Sequence, residues 1–106
     1  MEWEYTVIFV TAPDEDEAKR ISGALLEQKI AACVSIIHGV NSSFWWHHEI
    51  NNISEYLLII KSRYALLERI VSCIKQVHSD SVPEIIALPI IGGNRDYLKW
   101  LTEVTS

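Results

Sequence analysis

Residues 32–61, with the sequence ACVSIIHGVNSSFWWHHEINNISEYLLIIK, decide the fold of this chain. The β-branched and aromatic residues from 32 to 46 predict one long strand, which bends at Gly39. Those from about 50 to 61 predict a second strand, with an irregularity at Asn51-Asn52. So few residues separate the two strands that they must pair as a β-hairpin.

The segments on either side of the hairpin alternate between strand and helix patterns. Unbroken runs of β-branched and aromatic residues are typical of buried strands, whereas apolar residues three or four apart are typical of amphipathic helices. Asp14, followed three residues later by Glu17, fits a capping box at the start of the first helix. The predicted elements outside the hairpin are a strand over 5–11, a helix from about 14 to 29, a helix over 63–77, a strand over 85–90 and a short last helix capped by Asn94.

The order of these elements predicts the fold class. It is β-α-β-β-α-β followed by a short helix, which is the order of a ferredoxin-like α+β sandwich. We therefore expect an antiparallel sheet with both main helices on one face and a long hairpin between the second and third strands. A chain of 106 residues has room for one hydrophobic core, so we expect a single domain over 1–106.

Composition and charge exclude several classes of protein. The net charge of -5, from 14 acidic against 9 basic residues, disfavours a nucleic-acid partner, which needs clustered Lys and Arg. No unbroken apolar run exceeds five residues, far below the ~18 of a membrane-spanning helix, so we expect no membrane partner. The first four residues, Met-Glu-Trp-Glu, lack the basic head of a signal peptide. These observations predict a cytoplasmic protein.

The sequence also argues against an enzyme. It contains neither a Gly-x-Ser-x-Gly nucleophile motif nor a glycine-rich phosphate loop. An acylphosphatase would suit the predicted fold, but the acidic segment 12–16 after the first strand would repel a phosphoryl group. Cys33 and Cys73 are far apart and form no Cys-x-x-Cys motif, so we expect reduced thiols rather than a disulfide or redox centre.

Three consecutive aromatic residues in the hairpin predict an interface. Because side chains alternate along a strand, Phe44, Trp45 and Trp46 must point to both faces. A small two-layer domain cannot cover both faces of an edge hairpin. We therefore predict that these three residues contact another subunit.

The junction between the second helix and the last strand collects polar groups that could bind a ligand. It reads HSDSVPE over residues 78–84. His78 can either cap the carbonyl end of the preceding helix or bind Cu or Zn through a neutral ring nitrogen. Glu84 can bind backbone amides or a basic neighbour such as Lys61, or it can join His78 on a metal ion.

Several segments together resemble the CutA family of divalent-ion tolerance proteins. The resemblance runs in order along nearly the whole chain. It rests on Thr11-Ala12-Pro13-Asp14, Ala31-Ala32-Cys33-Val34, Ser42 with Trp46 and Ile50, Glu55 with Leu58-Ile59-Ile60-Lys61, His78 with Val82-Pro83-Glu84-Ile85, and Tyr97-Leu98-x-Trp100. The resemblance implies a ferredoxin-like homotrimer that binds copper or another divalent cation and has no catalytic role.

With this resemblance, the predicted metal ligands are His78, Glu84 and Cys33, although Cys33 can equally be a small buried apolar residue. The chain departs from the family at some positions. Val10 stands where some members carry a cysteine, so any copper site here lacks that thiolate. Phe44 and Asp80 stand where tyrosines are common in the family.

The tip of the hairpin offers a second possible cluster, His47-His48-Glu49. On a regular strand His48 would point away from the other two, and a solvated tip is the alternative. The family usually has glycine at the position of His48, where a positive φ suits the turn. An alternative function for the whole chain is a trimeric scaffold or small-molecule-sensing signalling module in which metal binding is incidental.

Overall fold

The computed structural model describes residues 3–106, so Met1 and Glu2, which entered the signal-peptide argument, lie outside the described residues. The elements are β1 Tyr5–Ala12, α1 Glu15–Glu27, β2 Cys33–Trp46, β3 Glu49–Arg63, α2 Leu67–Val77, β4 Ile85–Pro89 and α3 Arg95–Val104. This is the predicted ferredoxin-like order with a short C-terminal helix. The fold prediction is confirmed.

One antiparallel sheet holds all four strands in the order β2-β3-β1-β4. β1 therefore lies inside the sheet, where it pairs with β3 on one side and with β4 on the other. β2 and β4 are the two edges. The helices α1 and α2 pack together against the face that carries Ile8, Val10, Leu58 and Ile60, all of which are fully buried.

The β2-β3 hairpin is as long as predicted and contains the predicted bend. Its register shifts between Ile37 and Val40, and Gly39 in that gap has a φ of 75°. A residue with this backbone conformation bends the strand at a bulge, and glycine adopts it without steric cost. Asn51 and Asn52 do not interrupt β3, because both stay in register with β2.

Two predicted helix boundaries were wrong, each for a local reason. α1 ends at Glu27 rather than near 29 because Lys29 has a left-handed φ of 58°, with the amide of Ile30 bonded to the carbonyl of Leu25. α2 begins at Leu67 rather than at 63, since Arg63 is still paired with β1 and a short 3-10 turn follows it.

The sheet face opposite α1 and α2 is only partly covered. α3 packs over one end of it, where the hydroxyls of Tyr5 and Thr102 lie 2.6 Å apart and Arg63 Nε donates to Thr105 Oγ1 at 2.8 Å. Farther along, Ile86 and Leu88 of β4 are 50% and 40% exposed. We call this the open face of the sheet.

Candidate functional site

A groove of about 680 Å³ lies between the hairpin and the segment that leads into β4. Its volume falls within the range of pockets that bind small ligands. Its lining combines carboxylates, hydroxyls, an amide and aromatic rings: Thr11, Ser42, Ser43, Phe44, Trp46, Asn51, Ile53, Glu55, Asp80, Ser81, Val82 and Glu84.

The hairpin forms one wall of this groove. Phe44 pairs with Asn51 and Trp46 pairs with Glu49, so both rings stand on the same side of the hairpin, whereas Trp45 points to the other side. The exposed fractions are 38% for Phe44, 71% for Trp45 and 52% for Trp46. The prediction that these aromatics would occupy both faces and lack cover within one chain is confirmed, and their role in a subunit interface stays a prediction.

The segment after α2 forms the opposite wall. Asp80, Ser81, Val82 and Glu84 all line the groove, and all four are exposed. Glu55 of β3 is the third carboxylate of the lining and is half-buried. Among the described residues that line the groove there is no Lys, Arg, His or Cys. The groove therefore presents negative charge that no basic side chain in its lining neutralises.

His78 lies behind this wall rather than in the groove. Its side chain is 1% exposed, and its Nε2 lies 2.7 Å from the carbonyl oxygen of Thr11 in β1. Because a carbonyl only accepts, Nε2 must carry the proton. Nδ1 accepts from the amide of Asp80 at 3.0 Å. Neither ring nitrogen is left free for a metal ion, and the side chain turns to β1 instead of capping the end of α2.

The buried neighbour of this histidine that sequence reasoning missed is Glu17 of α1. It is 3% exposed, and its Oε2 lies 3.3 Å from His78 Nδ1. The same oxygen accepts from both the amide and the hydroxyl of Ser79, each at 3.1 Å. A signal was present, because Glu17 precedes the buried Ile21 and Leu25 by one and two helical turns and thus lies on the buried stripe of α1.

The predicted capping box at the start of α1 is only half formed. Asp14 Oδ1 accepts from the amide of Glu17 at 2.8 Å, as predicted. The carboxylate of Glu17, however, is directed to Ser79 instead of returning to the amide of Asp14. The side chain of Glu17 therefore makes a tertiary contact instead of the local capping contact that the sequence predicts.

Cys33 lies at the start of β2 beside α3, outside the lining of the groove. It is half-buried, and Lys61 Nζ lies 3.9 Å from its sulfur and 3.4 Å from the hydroxyl of Ser35. Partial burial raises the pKa of the nearby Tyr97, and Cys33 adds to the rise. Lys61 therefore contacts Cys33 and Ser35, and it does not form the alternative pair with Glu84.

The three predicted metal ligands therefore do not come together within one chain. Only Glu84 lines the groove, while His78 is enclosed behind it and Cys33 lies near α3. Across residues 3–106, no group of three or more His, Cys, Asp or Glu side chains is placed to hold a metal ion. None of the helices in that range has the length and apolarity to cross a membrane.

The hairpin tip has the backbone that its two-residue loop requires. His47 and His48 both have positive φ angles, 49° and 65°. Positive φ at both central residues is the requirement of a type I′ turn, which normally contains Asn and Gly. His47 packs edge-on against Trp46, with ring centroids 4.9 Å apart.

Comparison with known proteins shows that this chain is similar to the members of one family. Residues 6–104 match the family described as CutA1 divalent ion tolerance protein. The chain is 44% identical over 99 residues to the chloroplastic protein CutA 1 of Oryza sativa, covering 93% of this chain and 56% of that protein. It is 41% identical over 99 residues to the divalent-cation tolerance protein CutA of Thermus thermophilus, covering 93% of this chain and 96% of that one.

The similarity extends to three-dimensional structure. The crystal structure of CutA1 from Oryza sativa matches with a TM-score of 0.95 and 42% identity, covering 98% of this chain and 95% of that chain. The chain spans just over half the length of the plant chloroplastic relatives it matches.

Proposed function

Because the chain belongs to the CutA1 divalent ion tolerance protein family, we propose that it acts in divalent-cation tolerance by binding copper or another divalent cation as a homotrimer. The observation that carries the proposal is the groove, where Glu55, Asp80 and Glu84 supply carboxylate oxygens without a basic residue in the lining. Carboxylates are ligands for divalent cations, and their uncompensated charge attracts cations to the groove.

The groove of one chain supplies only part of a ligand set. No cluster of three or more suitable side chains forms across residues 3–106, and the imidazole of His78 is already bonded through both nitrogens. The absence of a thiol from the lining disfavours Cu(I), which prefers soft sulfur ligands. We therefore propose that a second copy of the chain completes the coordination of an ion near Glu84.

The proposed trimer is supported by the apolar surface that one chain leaves uncovered. Trp45 is 71% exposed and Ile50, its partner across the hairpin, is 62% exposed. The open face adds Ile86 and Leu88. Exposed apolar surface of this kind is commonly buried against another subunit.

Light scattering coupled to size-exclusion chromatography tests the trimer. We expect a mass three times that of the chain, and we expect Trp45→Ala to dissociate at a concentration at least about tenfold higher than wild type. Tyr64→Ala is the matched control, since Tyr64 is a 52% exposed aromatic outside the hairpin. A stable wild-type monomer at micromolar concentration would refute the trimer.

Calorimetric titration with Cu(II) and Zn(II) tests the metal site. Glu84→Gln removes one groove carboxylate without changing its size, so we expect affinity to fall by about tenfold or more. Glu27→Gln is the control, because Glu27 is an exposed acid near the end of α1 and outside the groove. Equal affinity in both variants would show that Glu84 is not a ligand.

We also propose that the protein is not an enzyme and that it works in the cytoplasm. The lining of the groove pairs no nucleophile with a histidine base, which supports a binding role. Hydrolysis of an acyl phosphate above the buffer rate would contradict the first proposal. Fractionation of cells, with the protein recovered outside the cytosol, would contradict the second.

The volume of the groove favours one alternative, a scaffold that senses a small molecule. Phe44 and Trp46 offer flat apolar surfaces next to polar groups, an arrangement that suits an organic ligand as well as an ion. Native mass spectrometry of the purified protein separates the two functions. A bound organic molecule without metal would favour the sensing scaffold.

A further inference from the structure

The buried carboxylate of Glu17 is not explained by the stability of α1 alone. A helix of this kind normally places an apolar residue at such a position, and Glu17 is 3% exposed. Taking a carboxylate out of water costs several kcal/mol unless hydrogen bonds compensate it. Across the described residues, every buried side-chain nitrogen or oxygen has a hydrogen-bond partner, so this cost is met by specific contacts.

Those contacts are concentrated on the segment that follows α2. Glu17 Oε2 accepts two hydrogen bonds from Ser79, one from the amide and one from the hydroxyl, both at 3.1 Å. On the side of α1, only Arg20 approaches, with its Nη2 3.9 Å from Oε1. Glu17 therefore ties α1 to the chain at Ser79, 62 residues away in sequence.

His78 holds the same segment to β1. It donates to Thr11 in β1 and accepts from the amide of Asp80. The segment is thus attached at two consecutive residues, His78 to β1 and Ser79 to α1, while the amide of Asp80 is held by His78 within the segment. Ser79 is itself exposed, and immediately beyond it the chain lines the groove through Asp80, Ser81, Val82 and Glu84.

From this juxtaposition we infer that Glu17 is a positioning residue for the groove: through Ser79 it holds the wall that carries Asp80 and Glu84. The inference rests on the proposed function for the role of the groove, but the holding of the wall is independent of any ligand. Glu17 itself does not line the groove. Its effect on binding is therefore indirect, through the placement of the two carboxylates.

Amide hydrogen exchange measured by NMR tests the inference on the unliganded protein. Removing the acceptor of a hydrogen bond exposes the amide that made it, so in Glu17→Ala we expect the amide of Ser79 to exchange about 10- to 100-fold faster. The amide of Asp80, which donates to His78, should also exchange faster, because the segment is no longer held to α1. The amides of Leu58 and Ile60 in the central part of β3 should accelerate less.

Two further variants separate positioning from general stability. Glu17→Gln keeps an acceptor oxygen and the volume of the side chain, so it should restore much of the protection at residues 79 and 80. Ser79→Ala removes one of the two bonds and should give a smaller local acceleration, and it also serves if Glu17→Ala does not fold. Asp16→Asn is the control for charge in the first turn of α1, because Asp16 is exposed and should leave the segment unchanged.

The same variants then enter the Zn(II) titration. If Glu17 positions the wall, Glu17→Ala weakens Zn(II) binding at least about fivefold although it is not a ligand, and Glu17→Gln recovers most of the affinity. Equal acceleration of exchange in the segment and in β3 would overturn the inference, as would unchanged exchange at residues 79 and 80. A wild-type protein that binds no Zn(II) would instead refute the metal-binding function and leave the exchange result to decide the role of Glu17.

Discussion

Replacing His48 by glycine should stabilise the protein. His48 has a φ of 65° in the two-residue loop of the hairpin, a conformation in which the Cβ atom of an L-residue crowds the backbone. That crowding costs about 1–2 kcal/mol, and glycine avoids it. Glycine loses about 0.5–1 kcal/mol more conformational entropy on folding, so the net gain of His48→Gly is about 0.5–1 kcal/mol per chain.

The gain can be measured as a shift in the midpoint of urea denaturation at one fixed protein concentration. The concentration must be fixed because association of subunits also contributes to the stability of an oligomer. His48→Ala is the matched control, since it removes the imidazole but keeps a Cβ atom at positive φ. We expect no gain in free energy of unfolding from His48→Ala.

A second variant checks the role of the neighbouring residue. His47→Gly relieves the same kind of strain, at a φ of 49°, but removes the edge-on contact with Trp46. Such a ring contact contributes about 0.5–1.5 kcal/mol, so the two effects should nearly cancel. If His48→Gly is no more stable than His48→Ala, the backbone conformation of the loop is not strained and the reasoning fails.

Two further predictions concern the buried His78 and the partly exposed Tyr97. His78→Ala leaves the carbonyl of Thr11 and the amide of Asp80 without their buried partner, so we expect the free energy of unfolding to fall by about 3 kcal/mol; a loss below about 1 kcal/mol in urea denaturation would contradict this role. Tyr97 should ionise above the ordinary range for tyrosine, since partial burial and Cys33 raise its pKa. Its neutral form thus adds stability below about pH 10 that is lost as the pH rises through the folded pKa. The ultraviolet titration of wild type minus Tyr97→Phe measures this pKa, and a midpoint at or below 10 would contradict it.

The elements of this fold could be predicted because each depends on residues close together in the chain. The bend at Gly39 and the cap at Asn94 are both present, with Asn94 Oδ1 accepting from the amide of Asp96 at 3.0 Å. Glycine and asparagine act there through their own backbone and side chain, so neighbouring sequence is sufficient. The aromatic face of the hairpin follows in the same way from strand alternation.

The candidate site could be predicted only in part. The segment 78–84 does line a groove, but its histidine is directed into the protein rather than into that groove. The two alternatives considered for His78 were both local, a helix cap or a free ligand. The observed bond to Thr11 joins residues 67 positions apart, so no pattern in the neighbouring sequence could predict it. The separation of Cys33 from Glu84 likewise depends on how β2 and β4 are placed at opposite edges of the sheet.

Sequence alone therefore determined the order of the helices and strands, the long hairpin with its bend, and the exposure of its aromatic residues. These properties follow from backbone preferences and from the alternation of apolar side chains over a few residues. Only the tertiary structure decided that Glu17 is buried, that His78 has no free ring nitrogen, and that Asp80 and Glu84 share a groove with Glu55. Those outcomes depend on which segments the sheet and helices bring together, and a buried polar group must bond to whichever partner lies there.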